Sequence, residues 1–335
     1  MSIRHQRDSI MAAHIPLNDT VYRFMESHDA FEHADGLNEW DDNRYHQLEK
    51  KAQFHGAIAS HSIAGKVQVT RETMDSPCVE QICHVPLDSI VIVNVRSEAD
   101  VLLNGRYVNA NTFHISSGRS FHALAKAPIE ALMLTVSKDA FLERFRTESL
   151  SNIESKPFER FIQPSMDTQV DFEANLRAHL NSVRAGSLSA PISSSLDKVF
   201  SCVQEILDFE TSSRLVVPPS TRTYIVEKSC EFFAQHVQEE NIGVLDLCNH
   251  LRISRRTLQY SFEDVLGMTP LNYVRSVRLN TARKLLMSSP QETIQGAALD
   301  AGFSHLGRFS KYYQEFFGEL PSQTVSRLGS HRSHH

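Results

Sequence analysis

Cysteine is scarce and scattered in this chain of 335 residues: Cys78, Cys83, Cys202, Cys230 and Cys248, with no Cys-x-x-Cys pair. An odd number at wide spacing argues against a disulfide framework or a zinc ribbon and points to reduced thiols. Long hydrophobic runs are missing too. The stretch "SIVIVNV", among the longest, falls far short of the roughly 20 apolar residues that a membrane helix needs. The opening "MSIRHQRDSIMAAHIPLND" has neither a continuous apolar core nor a cleavage pattern, so no secretory leader is expected and a cytoplasmic location is. No membrane partner is expected.

Catalytic signatures are absent as well. There is no Gly-rich phosphate loop, no Gly-x-Ser-x-Gly elbow and no "HExxH" or "SDN" string. We therefore expect no enzyme, no catalytic residue and no cofactor. The 17 histidines raise the question of a metal, which a barrel of this kind holds with a His-x-His pair, a Glu and a distant His. Here His84, His114 and His122 lack partners at that spacing, and no metal site is expected. His5, His14, His28 and His33 lie in a polar front segment and read as surface. The tail "SHRSHH" is His-rich, and no function is assigned to it.

Against these absences stands one concentration. "LCNHLRISRRTLQYSFEDVLG", residues 247 to 267, sets three arginines and a histidine among spaced leucines, in a chain of formal net charge −6. From Thr221 onward there are 13 Lys and Arg against 11 Asp and Glu, or +2; the preceding part carries −8. Between Arg252 and Lys311 the count is 9 basic to 4 acidic. An acidic front and a locally basic back suggest two jobs in one chain. Opposite charge would let the front dock over Arg255, Arg256 and Lys311. Screening beyond about 8 Å weakens so small a difference, which favours a passive tether.

"VVPPST", residues 216 to 221, marks the boundary, since two prolines end a helix and Ser220 or Thr221 caps the next. Upstream, residues 62 to 136 read mainly as strands rich in Val, Ile and Thr, with an Asn-Gly hairpin turn in "LLNGRY". A small antiparallel barrel or sandwich is inferred. Helices are expected over 138–149, 169–185 and 192–213. In the last, Leu196, Val199, Val203, Ile206 and Phe209 form one stripe, more often domain core than dimer seam.

Downstream everything reads as helix. "VLDLCNHL" is a short helix, "RIS" a tight connection, and Ser254 caps "RRTLQYSFEDVLG", closed by Gly267. Thr269 and Pro270 open a longer helix, and "IQGAALDA", a turn at Gly302 and "HLGRFSKYYQEFFG" repeat the arrangement. Helix, short turn and second helix is the geometry that places a helix in the major groove. Leu247, Cys248, Leu251, Ile253, Leu258 and Phe262 have the spacing of buried faces, as do Phe303, Phe309, Tyr313 and Phe316. Arg255, Arg256, Gln259 and Tyr260 then point outward, with Arg308, Ser310 and Lys311 in the second unit. Arginine matches guanine and glutamine matches adenine bidentately. Residues 270 to 287 span about 27 Å at 1.5 Å per residue, a strut that can hold two readers near the roughly 34 Å of one DNA turn. Its face Val274, Val277, Leu279, Ala282, Leu285 and Leu286 would pack against both. One basic hairpin is commonplace in a helical bundle; two at this spacing are not.

These stretches resemble the DNA-binding domain of AraC/XylS-type transcription regulators. The matching residues are Leu258, Phe262, Gly267, Pro270, Tyr273, Arg278, Leu279, Ala282, Arg283 and Leu285. They continue through Ile294, Ala298, Gly302, Phe303, Phe309, Phe316, Gly318 and Pro321. The resemblance implies base contacts from Arg256, Gln259 and Tyr260, and from Arg308, Ser310 and Lys311. Phosphate contacts would come from Ser254, Arg255, Ser304 and His305. Gly296 and Gly307 depart from the pattern and, at ~1 kcal/mol per interior glycine, imply a softer second unit. Within the family, "VLDLCNHLRISRRTLQ", "FEHADGLNEW" and "FHGAIA" are most similar to regulators of ethanolamine-utilisation operons, which respond to ethanolamine with cobalamin; that effector does not carry over.

The expected fold is α+β: an N-terminal cupin-like β-barrel domain with helices and a C-terminal all-α domain with two helix-turn-helix units joined by a linker helix. The expected division is 1–215 for effector sensing and dimerisation, 216–221 as linker, 222–328 as DNA reader and 329–335 as a His-rich tail. The expected function is activation of a catabolic operon by a homodimer that binds double-stranded DNA, RNA polymerase and a small molecule, ethanolamine or another small amine. Two alternatives stay open. One is a cupin-type barrel enzyme with a helical assembly domain; the other is a regulator switched by a partner protein.

Overall fold

The computed structural model describes residues 19–37, 40–76, 78–145, 156–186, 192–210, 220–239, 242–288 and 293–332. "VVPPST" falls mostly outside them, as do His5, His14 and the end of the tail. Two antiparallel sheets form the front half. The larger runs β1 (Thr20–Ser27), β3 (Gly56–Ile63), β4 (Val67–Met74), β11 (Ile129–Ser137), β6 (Ser89–Ser97), β9 (Phe113–Ser117) and β12 (Phe158–Ile162). The smaller runs β2 (Asp41–Gln47), β5 (Val79–His84), β10 (Ser120–Ala125), β7 (Val101–Leu103) and β8 (Arg106–Val108). The expected barrel is not closed: β1 and β12 end one sheet, β2 and β8 the other, and no ladder joins the two among the described residues. The strands also start earlier than position 62, because β1, β2 and β3 precede it.

The central strands of the larger sheet are buried on both faces, which explains the unbroken run in β6. Val91, Val93 and Val95 face the smaller sheet with Met74, Ala131 and Met133, against Val79, Leu103, Phe121 and Ala123. Ile90 and Ile92 point the other way, with Val69, Leu132 and Leu134, into a second core covered by helices. Those helices are α2 (Lys138–Arg144), α3 (Met166–Arg184) and α4 (Ile192–Glu210). The α4 stripe is spent here, with Leu196, Val199, Val203 and Ile206 all buried. Asn104 and Gly105 both adopt positive φ, 45° and 74°, the pair of left-handed residues that a two-residue hairpin demands, and Leu103 pairs with Arg106 across it. One histidine departs from expectation. His33, on α1 (Ala30–Ala34), is completely buried, its ring nitrogens 2.7 Å from Ser27 Oγ and 2.9 Å from Glu72 Oε1.

The back half is helical: α5 (Thr221–His236), α6 (Val244–Leu251), α7 (Arg255–Leu266), α8 (Pro270–Ser288), α9 (Ile294–Asp300), α10 (Leu306–Phe317) and α11 (Pro321–Arg332). Local chemistry sets the starts. Ser220 accepts from Thr223 N at 3.2 Å, Ser254 from Thr257 N at 3.0 Å and Thr293 from Gly296 N at 2.9 Å, each satisfying a first-turn donor. The helices cover the outer face of the smaller sheet, so the order of layers is helices, seven strands, five strands, helices. Among the described residues no helix is long and apolar enough to cross a membrane.

Candidate nucleic-acid interface

Each helix pair is closed by the same device. In the first, α6 stops as Arg252 turns left-handed (φ 55°) and Ile253 N bonds Cys248 O at 3.0 Å. In the second, Gly302 takes that role (φ 80°) and Phe303 N bonds Ala298 O at 2.9 Å. Glycine is required at 302 for a further reason. A Cβ there would lie 2.8 Å from Arg278 Nε, and the Arg278 guanidinium must pass to reach the carbonyls of Glu239 and Ile242, both at 2.9 Å. One arginine on α8 thus ties together the loop after α5 and the turn of the second pair. Gly296 and Gly307 both sit in first turns rather than helix interiors, where the interior penalty does not apply.

The two pairs have separate small cores that share α8. Leu247, Leu258, Phe262 and Val265 pack with Tyr273, Val274 and Val277. Ala297, Ala298, Phe309, Tyr313 and Phe316 pack with Leu279, Ala282 and Leu286. Leu251, Ile253, Leu285 and Phe303 are only partly buried.

The outer faces match the spacing argument. Ser254, Arg255, Arg256, Gln259 and Tyr260 are exposed on α7 and its cap. Arg256 Nη2 donates to Tyr260 Oη at 3.2 Å, and Gln259 Nε2 donates to Glu263 Oε1 at 2.9 Å. Around α10, Ser304, His305, Arg308 and Lys311 are exposed and Ser310 is half-buried. These contacts lie along single helices and cost little to release.

The family model described as a helix-turn-helix domain matches residues 247–327. These residues form an AraC/XylS-type helix-turn-helix domain. The chain is similar to the XylDLEGF operon transcriptional activator 2 of Pseudomonas putida, 40% identical over 103 residues, covering 30% of this chain and 64% of that protein. It is also similar to a second XylDLEGF operon transcriptional activator of Pseudomonas putida, 39% identical over 101 residues, covering 30% of this chain and 31% of that one. The chain therefore spans less than two thirds of either relative. A solved probable AraC family transcriptional regulator from Rhodopseudomonas palustris shares 32% identity over 31% of this chain and 97% of its own, with a TM-score of 0.29.

The AraC/XylS-type domain and α5 are docked on the front half through a buried polar seam. Tyr273 Oη donates to Glu80 Oε1 at 2.8 Å, and His122 bridges Glu80 (2.9 Å) and Glu227 (2.6 Å). Glu80 Oε2 faces His46 at 2.8 Å. Asn280 caps the edge of β2, accepting from Gln47 N at 3.1 Å and donating to Gln47 O at 2.8 Å. Arg283 reaches Asp29 at 2.5 Å, and Lys51 N reaches Phe316 O at 2.6 Å. Burial alone would raise the Glu80 carboxyl, but hydrogen bonds from His122 and His46 hold it well below the usual range. Burial would depress His122, yet the charge of Glu227 and the bonds around it lift it well above 6.5. The halves do meet, but not over the exposed Arg255, Arg256 and Lys311. Spacing along the chain does not reveal Glu80, His122, Glu227 and Asn280 as a seam, because their partners lie in other elements. His114 is buried too, 3.0 Å from Glu159.

Proposed function

We propose that the chain is a sequence-specific DNA-binding transcription regulator, an operon activator in the manner of the relatives it matches. In this reading α7 and α10 are two recognition helices that enter successive major grooves, with α8 as the strut between them. Arg256, Gln259, Tyr260, Arg308, Ser310 and Lys311 meet bases; Ser254, Arg255, Ser304 and His305 meet phosphates. The observation that carries the reading is the exposed polar face of α7 within the matched domain. Residues 1–215 sense an effector and dimerise, 216–221 link, 222–328 read DNA and contact RNA polymerase, and 329–335 form the tail.

Arg256→Ala tests base reading. Loss of a bidentate guanine contact weakens operator binding by roughly 1–3 kcal/mol and relaxes one base position. Competition binding against randomised operators measures this. Equal weakening on specific and random DNA makes Arg256 a phosphate contact instead.

The proposed effector is a small molecule that touches both halves. A cleft of about 210 Å³ lies between α1, β2, the end of α5 and α8, lined in part by Asp29, Phe31, Arg44, Val277 and Lys284. Arg44 Nε is buried there without a partner. Cationic groups at the wall favour a small carboxylate over ethanolamine or another amine. Thermal shift of the full chain should respond to small carboxylates and not to amines; the reverse pattern restores the amine.

A further inference from the structure

Three side chains at the seam have no part in reading DNA. Glu80 on β5, His122 on β10 and Cys230 on α5 are buried, and their ligand-type atoms all lie within 4.8 Å of one another. We propose that Glu80, His122 and Cys230 bind a divalent transition-metal ion, zinc(II) foremost, that fastens the front sheets to the helical half.

The donor set fits that ion. A carboxylate oxygen, an imidazole nitrogen and a thiolate suit a borderline-soft cation and exclude magnesium or calcium, which take oxygen. The supports fit as well. Protein-bound zinc usually has its histidine ligand held through the other ring nitrogen by a carboxylate. Here Glu227 Oε2 holds His122 Nδ1 at 2.6 Å and leaves Nε2 facing Glu80. Glu80 is oriented in turn by Tyr273 at 2.8 Å and His46 at 2.8 Å. Three protein ligands leave the fourth tetrahedral position for water.

Charge and protons balance. Glu80 as carboxylate and Cys230 as thiolate neutralise the dication inside a buried site. Burial and then the Glu80 charge push the Cys230 thiol up to about 12, so it is protonated when no metal is bound. Binding forms three metal bonds and releases two protons, one from Cys230 Sγ and one from the hydrogen bond between His122 Nε2 and Glu80 Oε1. That bond is 2.9 Å; bonds of about 2.0 Å to a tetrahedral ion set the two atoms about 3.3 Å apart, a shift of a few tenths of an ångström. The expectation of no metal site rested on spacing along the chain, whereas these ligands come from three elements.

The test uses the full chain, stripped with a chelator and titrated with cobalt(II). One ion per chain should bind, with the intense visible bands of a tetrahedral site and a near-ultraviolet thiolate-to-cobalt band, and zinc(II) should displace it. Cys230→Ser should abolish the thiolate band while circular dichroism shows an intact fold, and Cys202→Ser should keep it. Glu227→Gln, which alters only the support of His122, should weaken binding 10- to 100-fold. Failure to take up one ion, or uptake whose thiolate band survives in Cys230→Ser, overturns the proposal. The His-rich tail as the binding place is read by the same variant, since binding there leaves no thiolate band. Operator binding by α7 and α10 can stand or fall independently of either result.

Discussion

Replacing Arg283 with alanine is expected to destabilise the full chain by about 3–5 kcal/mol, the cost of removing one partner from a buried ionic cluster. Arg283 is only 9% exposed and meets Asp29 at 2.5 Å, Glu319 at 2.7 Å and the Tyr313 hydroxyl at 3.1 Å, with its guanidinium 4.5 Å from the centre of the Phe317 ring. From α8 it joins the cap of α1 to α10 and to the turn that follows α10. Among the described residues the other hydrogen bond of the Asp29 side chain is its cap bond from Phe31 N, at 2.9 Å, so the substitution leaves Oδ2 without its ion pair. Urea unfolding followed by circular dichroism measures the loss; a change below 1 kcal/mol contradicts it. Arg283→Lys should recover only part, because an ammonium cannot reproduce the fork of donors. The acid limb carries a second signature. Burial raises the Glu319 carboxyl, but Thr324 and Arg283 more than offset that and hold it below 4.5. A depressed carboxyl contributes stability that is complete above its unfolded value and is lost as the pH falls through its folded one. Arg283→Ala should therefore show a shallower loss of stability on acidification than the parent chain.

Phe309→Ala is expected to cost a similar amount, about 3–5 kcal/mol, but locally. Phe309 has no exposed surface, and its core is small, built on Ala282, Ala297, Ala298 and Ala301 with Tyr313 and Phe316. Alanines cannot close the hole left by a phenyl ring. The first helix pair has its own core around Leu258, Phe262 and Tyr273, so it should survive. Hydrogen exchange should rise over residues 294–327 and stay low over 244–266, and protection of DNA should shrink to one half-site. Equal loss of protection in both pairs would show that the two cores fold as one unit.

How far the sequence alone leads depends on how local the determining chemistry is. Asn104 and Gly105, the cap at Ser254 and Pro270 at the start of α8 each act within a few residues, and all stand where their chemistry put them. The buried faces of α7, α8 and α10 follow from spacing, so the exposure of Arg255, Arg256 and Gln259 was readable as well. The smaller sheet was not. His122 in "SFHALA" stands between apolar neighbours and Glu80 in "VEQICH" between Val79 and Gln81, as they would on a sheet with one face to water. The helical half, more than 100 residues later, covers that face, and only tertiary packing turns these residues into a buried seam. His33, expected at the surface, is buried for the same reason, since its partners Ser27 and Glu72 come from two strands. That the two sheets stay open instead of closing into the expected barrel is likewise not legible, because alternation fixes which way a side chain points and not which edge strand meets which.

The central claim is that α7 and α10 both read DNA while α8 holds them apart, and hydroxyl-radical footprinting of the full chain on its operator tests it most directly. Two rigidly joined readers should protect an asymmetric site of about two successive helical turns per protomer, on one face of the duplex. In the Arg256→Ala chain the protection opposite α7 should weaken before that opposite α10. A single short half-site per protomer, unchanged in extent by Phe309→Ala, would contradict the account and leave α10 as a structural helix.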